Sequence, residues 1–444
     1  MPRFKRAAAA ICQGSILALA LTGTAYGTNW LMLDATVPPA TPALTGSLFA
    51  SVEYQASQDT PLLAGPWAGQ PDQFNRFAPN YEDGEVFRLS QAGVGLQGLL
   101  MSGAIAYRAT LLTGDNAILR NERGFYDGRS IRPTDASITI NSLPRAHLRL
   151  GLFRQPLGDE AIAPQQRYIW LSHVTQQMVQ ERYFRSDGSS NGDPNFDRGP
   201  PSGFRDSGIE LFDSFVSGAW EHTYGAMLGL GTGVDPRLDH SELDQYVYWS
   251  SEWIFGKAGR LREGLKLYAW RQSGERTLRT GSSQLEQDFD RRRAGVGASL
   301  RSGSWFLASE WITAKGMIYH GPDGGTVPGR ISNDGRLVSG YNVLPNSKAD
   351  GGYIDIGYRL LPPLELLLRY DRLNRATDRR ETEIRFEGMT LGLNYQMTSS
   401  IQVTADYQFR RYQAPRLAHD TTTNALLDGV DNRFGLRVAY QFGF

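Results

Sequence analysis

Arg433-Phe-Gly-Leu-Arg-Val-Ala-Tyr-Gln-Phe-Gly-Phe444 closes the sequence in strict alternation. Phe434, Leu436, Val438, Tyr440, Phe442 and Phe444 take every second position, and Arg433, Gly435, Arg437, Ala439, Gln441 and Gly443 fill the positions between. Successive side chains of a strand point to opposite faces. The stretch therefore predicts a strand with one apolar, aromatic face and one face that is polar or nearly bare. An ordinary half-buried strand in a water-soluble sheet would satisfy the same pattern, so the rest of the chain has to decide between them.

The opposite end narrows the choice. Arg3, Lys5 and Arg6 precede an apolar stretch from Ala7 to Leu21, and Ala25 and Gly27 put small residues at the −3 and −1 positions of a cleavage site. Residues 1–27 are expected to be a secretory signal peptide, too short and too interrupted by Gln13, Gly14 and Ser15 for a spanning helix. Cys12 is the single cysteine and falls within it, which leaves neither disulfides nor thiolate metal sites to the remainder. The full chain balances 46 basic against 46 acidic residues, and without Arg3, Lys5 and Arg6 the balance falls to about −3. No basic excess points to nucleic acid. No later stretch approaches the ~18 apolar residues of a membrane helix. A secreted chain of this kind can still cross a membrane as a closed barrel, in which strand pairing satisfies the backbone and only alternate residues need be apolar.

Working back from the closing strand, about sixteen alternating segments appear, near 47–56, 86–98, 102–113, 135–141, 145–153, 207–214, 219–229, 244–256, 263–271, 291–301, 303–313, 351–360, 363–372, 384–396, 400–411 and 433–444. The connections between them alternate long and short throughout, as in outer-membrane barrels, with short periplasmic turns and long external loops. The fold expected is all-β: a transmembrane antiparallel β-barrel of about 16 strands over residues 47–444. Residues 28–46, rich in proline, are expected to be a periplasmic lead-in. Trp220, Tyr224, Trp249, Trp253, Trp305, Trp311, Tyr370, Tyr407 and Tyr440 are candidates for the aromatic girdles at the membrane surfaces. In such a barrel the alternation of Tyr440, Phe442 and Phe444 resembles the assembly signal read by the barrel-assembly machinery.

Few residues carry a chemical motif. Gly93-Val-Gly-Leu-Gln-Gly98 has the G-x-G-x-x-G spelling but sits inside a predicted strand, whereas a dinucleotide site needs it between a strand and a helix. The six histidines show no metal-ligand spacing, and no nucleophile–base pair stands out. Neither a metal, a cofactor nor an enzymatic activity is expected. The longest connection, near 154–206, carries the functional weight, because long loops in compact proteins usually have a function. Within it, residues 166–184 place Trp170, Val174 and Met178 at helical spacing. The segment is expected to fold into the lumen as a third external loop, the alternative being an external cap over the mouth. Strand parity puts Arg108, Arg149, Lys266, Arg291, Arg293 and Arg369 on the inner wall, and Arg154, Arg167, Arg182 and Arg185 surround the long loop. These ten are the candidates for lining a constriction. Guanidinium groups there would attract anions, while the loop's own acids allow internal ion pairs instead.

Leu148-Arg-Leu-Gly-Leu-Phe-Arg-Gln-Pro-Leu-Gly-Asp-Glu160 resembles the strand ending of the phosphate-selective porin family, and Arg205-Asp-Ser-Gly-Ile-Glu-Leu211 resembles that family's strand start after the long loop. The resemblance implies a sixteen-stranded, homotrimeric channel of the bacterial outer membrane, embedded in its lipid. It also implies that Glu160, Arg205 and Asp206 anchor the loop at its base. The loop's lack of lysine and wealth of acids depart from a phosphate-selective lining. The function expected is that of a porin passing small hydrophilic solutes, with a weak preference for anions such as phosphate. Alternatives are a general or sugar-selective porin, with Tyr246, Tyr248, Tyr268 and Trp270 as sugar-stacking rings. From other classes come a barrel enzyme or a plugged surface adhesin or scaffold.

Overall fold

The computed structural model describes residues 29–57, 85–114, 131–163, 167–184, 197–201, 203–234, 242–256, 262–280, 285–320, 326–331 and 337–444. The signal peptide expected over 1–27 lies outside them. Sixteen strands close into one barrel. In chain order they are β1 Thr45–Ser57, β2 Glu85–Leu100, β3 Ile105–Thr113, β4 Arg132–Ile140, β5 His147–Arg154, β6 Arg205–Ser217, β7 Trp220–Gly229 and β8 Asp244–Ile254. The second half comprises β9 Gly264–Thr280, β10 Leu285–Ser302, β11 Trp305–Lys315, β12 Lys348–Leu361, β13 Leu364–Arg375, β14 Ile384–Gln396, β15 Ile401–Gln413 and β16 Arg433–Gly443.

Each strand pairs antiparallel with its chain neighbour, and β16 returns to β1 in a register running from Ser47 opposite Gly443 to Ser57 opposite Arg433. Closure removes the unpaired edges an open sheet would leave in lipid. The seam ends on a reciprocal pair: Gly46 N donates to Phe444 O at 2.8 Å and Phe444 N to Gly46 O at 2.9 Å. The Phe444 ring lies over Gly46 where a Cβ would otherwise project.

Alternation along the strands separates two environments. On β8, Tyr246, Tyr248, Ser250 and Glu252 are buried toward the interior, while Val247, Trp249 and Trp253 are exposed on the outside. Among the other girdle candidates, Trp220, Trp305, Trp311, Tyr370, Tyr407 and Tyr440 are also exposed outward. Most charged residues of the strands face inward, since an outward arginine or lysine at the midplane would cost ~2–4 kcal/mol.

Two expectations change. The hairpin β9–β10 continues to Thr280 and from Leu285, far beyond the expected ends at 271 and 291. Glu275, Thr277, Glu286 and Asp288 make the outer face of this extension polar, while Leu278 and Phe289 stay buried on the inner one, so the apolar outer alternation of a lipid-facing strand fades while backbone pairing continues. The lead-in also proves more than a simple tail. Trp30–Ala35 form a helix, α1, whose N-cap Asn29 accepts from Leu31 N at 3.0 Å. Leu31, Met32 and Ala35 are buried in a cluster with Phe153, Leu157, Ile162, Val174 and Met178. Asn29 Nδ2 also donates to Ser250 Oγ on the inner face of β8, at 2.6 Å. The chain then passes to the outer face, where Tyr107 Oη donates to Ala43 O at 2.8 Å. Gly98 makes that passage possible, since a Cβ there would meet the Ala43 carbonyl.

Candidate functional site

The interior is built from three layers: the inward side chains of the wall, helix α1, and the segment 159–182. That segment opens with the short helix α2, Asp159–Ile162, and later contains a single π-helical turn over Thr175–Val179. The helical reading of 166–184 is thus shortened: Trp170 precedes the helical turn, and only Val174 and Met178 lie in or next to it, both fully buried. Ser172 explains the late start, because its N and Oγ both donate to Glu160, at 3.0 and 2.6 Å, and fix the preceding bend.

The segment is tied to inward side chains all round the ring. Asn394 Nδ2 of β14 donates to Arg167 O at 3.0 Å. Ile169 N donates to Asp406 of β15 at 2.5 Å, and Arg433 of β16 stacks over the Trp170 ring at 4.1 Å. His173 is gripped from two strands. Its Nδ1 lies 2.5 Å from Asp371 Oδ1 of β13 and its Nε2 2.6 Å from the Tyr412 hydroxyl of β15, while its backbone N donates to the same Asp371 oxygen at 2.8 Å. At the far end Arg276 of β9 binds Glu181 at 2.7 and 2.9 Å and Asp244 at 2.8 and 2.7 Å. Burial pushes the Glu181 carboxyl up, but Arg276 and Arg291 outweigh it and hold the group below its ordinary range.

The ten expected lining cations can now be placed. Asp34 of α1 draws three of them together: Arg149 at 3.1 Å, Arg108 at 3.4 Å and Arg154 at 3.9 Å. Burial raises this carboxyl, yet the three arginines prevail and hold it below the usual carboxylate range. Arg154 also donates to the carbonyls of Ile162 and Ala163, at 3.0 and 2.6 Å. Lys266 pairs with Asp159 at 2.5 Å. Arg369 pairs with Asp355 at 2.6 Å and Glu160 at 2.8 Å. Arg291 pairs with Glu181 at 3.2 Å, and Arg293 donates to the carbonyls of Met178, Gly316 and Met317 at 2.6–3.1 Å. Arg167 stacks 3.5 Å over the Phe306 ring, 3.6 Å from Glu365. Arg185 and the side chain of Arg182 lie outside the described residues.

Of the three residues read as loop anchors, Glu160 binds Ser172 and Arg369 as above. Arg205 donates to both oxygens of Asp135 on β4 at 3.3 Å and to Gly203 O at 2.9 Å. Asp206 sits elsewhere, under the next connection. Its carboxylate accepts from Gly231, Thr232 and Gly233 N at 2.8, 3.1 and 3.2 Å, filling a nest of amides with the chain's own anion. Gly93 to Gly98 run within β2. Tyr246, Tyr248, Tyr268 and Trp270 are all buried, with Trp270 Nε1 donating to Glu310 at 2.6 Å and Tyr246 Oη to Asp244 at 2.9 Å.

With this architecture in view, the sequence of residues 261–442 matches the family of phosphate-selective porins O and P. The chain is an outer-membrane porin. No curated protein matches it by sequence. Among solved structures, the fold is similar to that of OmpF of Salmonella typhi in complex with daunomycin, at 14% identity and a TM-score of 0.55. The alignment covers 91% of this chain and 99% of that one. It is also similar to OprB of Pseudomonas putida, solved at high pH, at 11% identity and a TM-score of 0.50, over 90% of this chain and 94% of that one. Such identities carry the porin architecture and nothing finer. The interior of this porin holds groups that the sequence reading did not single out: Asp34, Arg276, Arg262, and His173 and Tyr412, the partners of Asp371, an acid that strand parity does put on the inner wall. Arg262, just before β9, binds Glu221 at 2.9 Å and also Glu252. No local signal marks these residues, because every partner lies on a different strand or segment.

Proposed function

We propose that this porin provides a narrow, water-filled path whose bore is set by residues 159–182 together with α1, and that it passes small hydrophilic solutes with a weak preference for anions. The observation that carries the reading is how the interior charges are compensated. Most cations of the ring are already bound to carboxylates or carbonyls of α1, of 159–182 or of the wall itself, so they hold those elements in place rather than meet solute. Arg301 of β10 and Arg359 of β12 have no ion-pair partner among the described residues, which leaves a small positive surplus on the path. Strong phosphate selectivity has no support in such a lining. A sugar-selective lining has little either, because the four inward rings are packed away from open space. The polar mouth turns and the outward aromatic belt suit a homotrimer in the outer membrane, the assembly implied by the resemblance to the phosphate-selective porins.

Reversal potentials of single channels in planar bilayers under a KCl gradient test this reading. Small discrete steps with a modest anion-biased potential are expected. Cation bias, or near-complete chloride selectivity, would overturn the proposed charge assignment.

A further inference from the structure

The outer wall of the barrel carries a charge pattern that the lumen does not explain. At the long-loop end of β10, β11 and β12, Arg292 lies directly opposite Lys315, and Lys315 directly opposite Lys348. All three are exposed, and they share strand parity with the outward Trp311 and Ile354 rather than with the buried Glu310 and Asp355. Like charges directly opposite one another on neighbouring strands are destabilising. Asp290 takes Arg292 at 2.9 Å. Among the described residues neither lysine has a side-chain partner. Asp378 of the next external turn is occupied by Ser347 Oγ and by the Lys348 backbone N.

The pattern continues round the wall. Nearer the bilayer, the outward positions of β12 to β15 hold Asp350, Arg372, Arg385, Glu387 and Arg411 at adjoining places in the ladder. Arg372 and Arg385 both donate to the one side-chain oxygen of Asn374 at 3.2 Å, and Asn374 Nδ2 donates to Asp350 at 2.9 Å. Glu387 stands between Arg372 and Arg411. Over β11 to β15, five outward cations thus meet two outward carboxylates. Directly beneath them come Ile354, Tyr370, Met389 and Phe409, all exposed. The Trp311 ring fills the place where a Cβ on Gly352 would project. The same five strands have no outward charged residue at their short-turn ends, where Tyr358, Leu366, Leu393 and Val403 stand instead. The surplus therefore belongs to the external side alone, at the height where the apolar band gives way to water.

We infer that this outer tier is a binding site for the phosphate groups of outer-leaflet lipids. The side-by-side lysines of β11 and β12 take one phosphate and the arginines of β13 to β15 a second, while the acyl chains run down the lane of Ile354, Tyr370, Met389 and Phe409. Lysine meets phosphate as a compact point charge and arginine as a planar two-point donor. Each basic side chain at a membrane surface adds to the attraction for anionic lipid. The occupant is a lipid rather than a second copy of the chain, because charge of one sign sits directly above a continuous apolar lane. That is the arrangement of a phosphorylated headgroup over its own chains. The inference concerns the outer wall and holds whatever passes through the lumen.

Native mass spectrometry of the refolded full-length porin in detergent tests the site. The probes are diphosphoryl lipid A, the same lipid stripped of its phosphates, and inorganic phosphate. The diphosphorylated lipid should stay bound at a concentration about tenfold or more below the stripped form, and excess inorganic phosphate should not displace it. The double variant Lys315→Gln/Lys348→Gln should weaken its retention about tenfold. The compact gel band of the folded barrel should be unchanged in that variant, since both side chains are exposed and outside the lumen. Arg145→Gln, exposed on a short turn at the opposite rim, should retain the lipid as the wild type does. Equal retention of the two lipid forms, or undiminished retention by the double variant, would overturn the site. Displacement by inorganic phosphate would make it a site for soluble anions, and loss of the oligomer's mass in the double variant would assign the face to contacts between copies. Either result ends the lipid reading.

Discussion

At the level of single residues, Asp34 has the most to hold. It is the only acid between Asn29 and Leu44 and it faces three arginines from β3 and β5. Removing one partner of a buried ionic cluster typically costs about 3–5 kcal/mol, because the charges left behind stay buried. Asp34→Asn should therefore lower the temperature at which the folded porin loses its compact migration on a gel, whereas Asp428→Asn, on an exposed helix end, should not. The pH dependence follows from the same cluster. The folded carboxyl lies below its unfolded value, so its contribution is complete above the ordinary carboxylate pKa of ~3.9 and is lost as pH falls through the lower folded value. Thermal stability measured from neutral pH into the strongly acid range should fall in the wild type more than in Asp34→Asn. Gly46 poses a different constraint. The Phe444 ring occupies the space of its missing side chain, so Gly46→Val should displace the ring and slow insertion into liposomes, read from the appearance of the compact band with time.

Among elements, the strands were legible and the interior was not. The alternation of Phe434 to Phe444 or of Val247, Trp249 and Trp253 is a local signal, since lipid demands apolar character at every second position. The extension of β9 and β10 beyond the bilayer escaped because water makes no such demand on Glu275 or Asp288. Helix α1 escaped for another reason. Six residues are too few to show a period, and what makes Trp30–Ala35 helical is the burial of Leu31 and Met32 and the grip on Asp34, all supplied from distant strands. The expected cations were found by strand parity and by their place around the long loop, but their partners stand far away along the chain, 199 residues in the case of Arg369 and Trp170, and no spacing rule reaches that far. Arg276 is the element-scale test. It binds the end of segment 159–182 to the wall through Glu181 and Asp244. Arg276→Met should leave both carboxylates buried without their main cation, loosen that end of the segment, and raise open-channel noise several-fold at unchanged strand content by circular dichroism.

For the molecule as a whole, a sixteen-stranded ring is the constant frame and its contents set the transport. Replacing residues 167–182 by a short Gly-Ser linker should raise single-channel conductance several-fold while the barrel still folds, because sheet pairing does not depend on that segment. Unchanged conductance would show that the path runs elsewhere. Light scattering of the detergent-extracted porin should give a mass near three copies. The passage of the chain from α1 to β1 has one more consequence. Thr36 to Leu44 form a leash of nine residues, stiffened by Pro38, Pro39 and Pro42, that spans at most ~30 Å. Helix α1 is thus a ligand tethered to its own receptor, at an effective concentration in the millimolar range. Weakening its grip shortens each docked interval without setting it adrift, so a damaged latch would be heard in the current as rapid flicker rather than as a permanently wider pore.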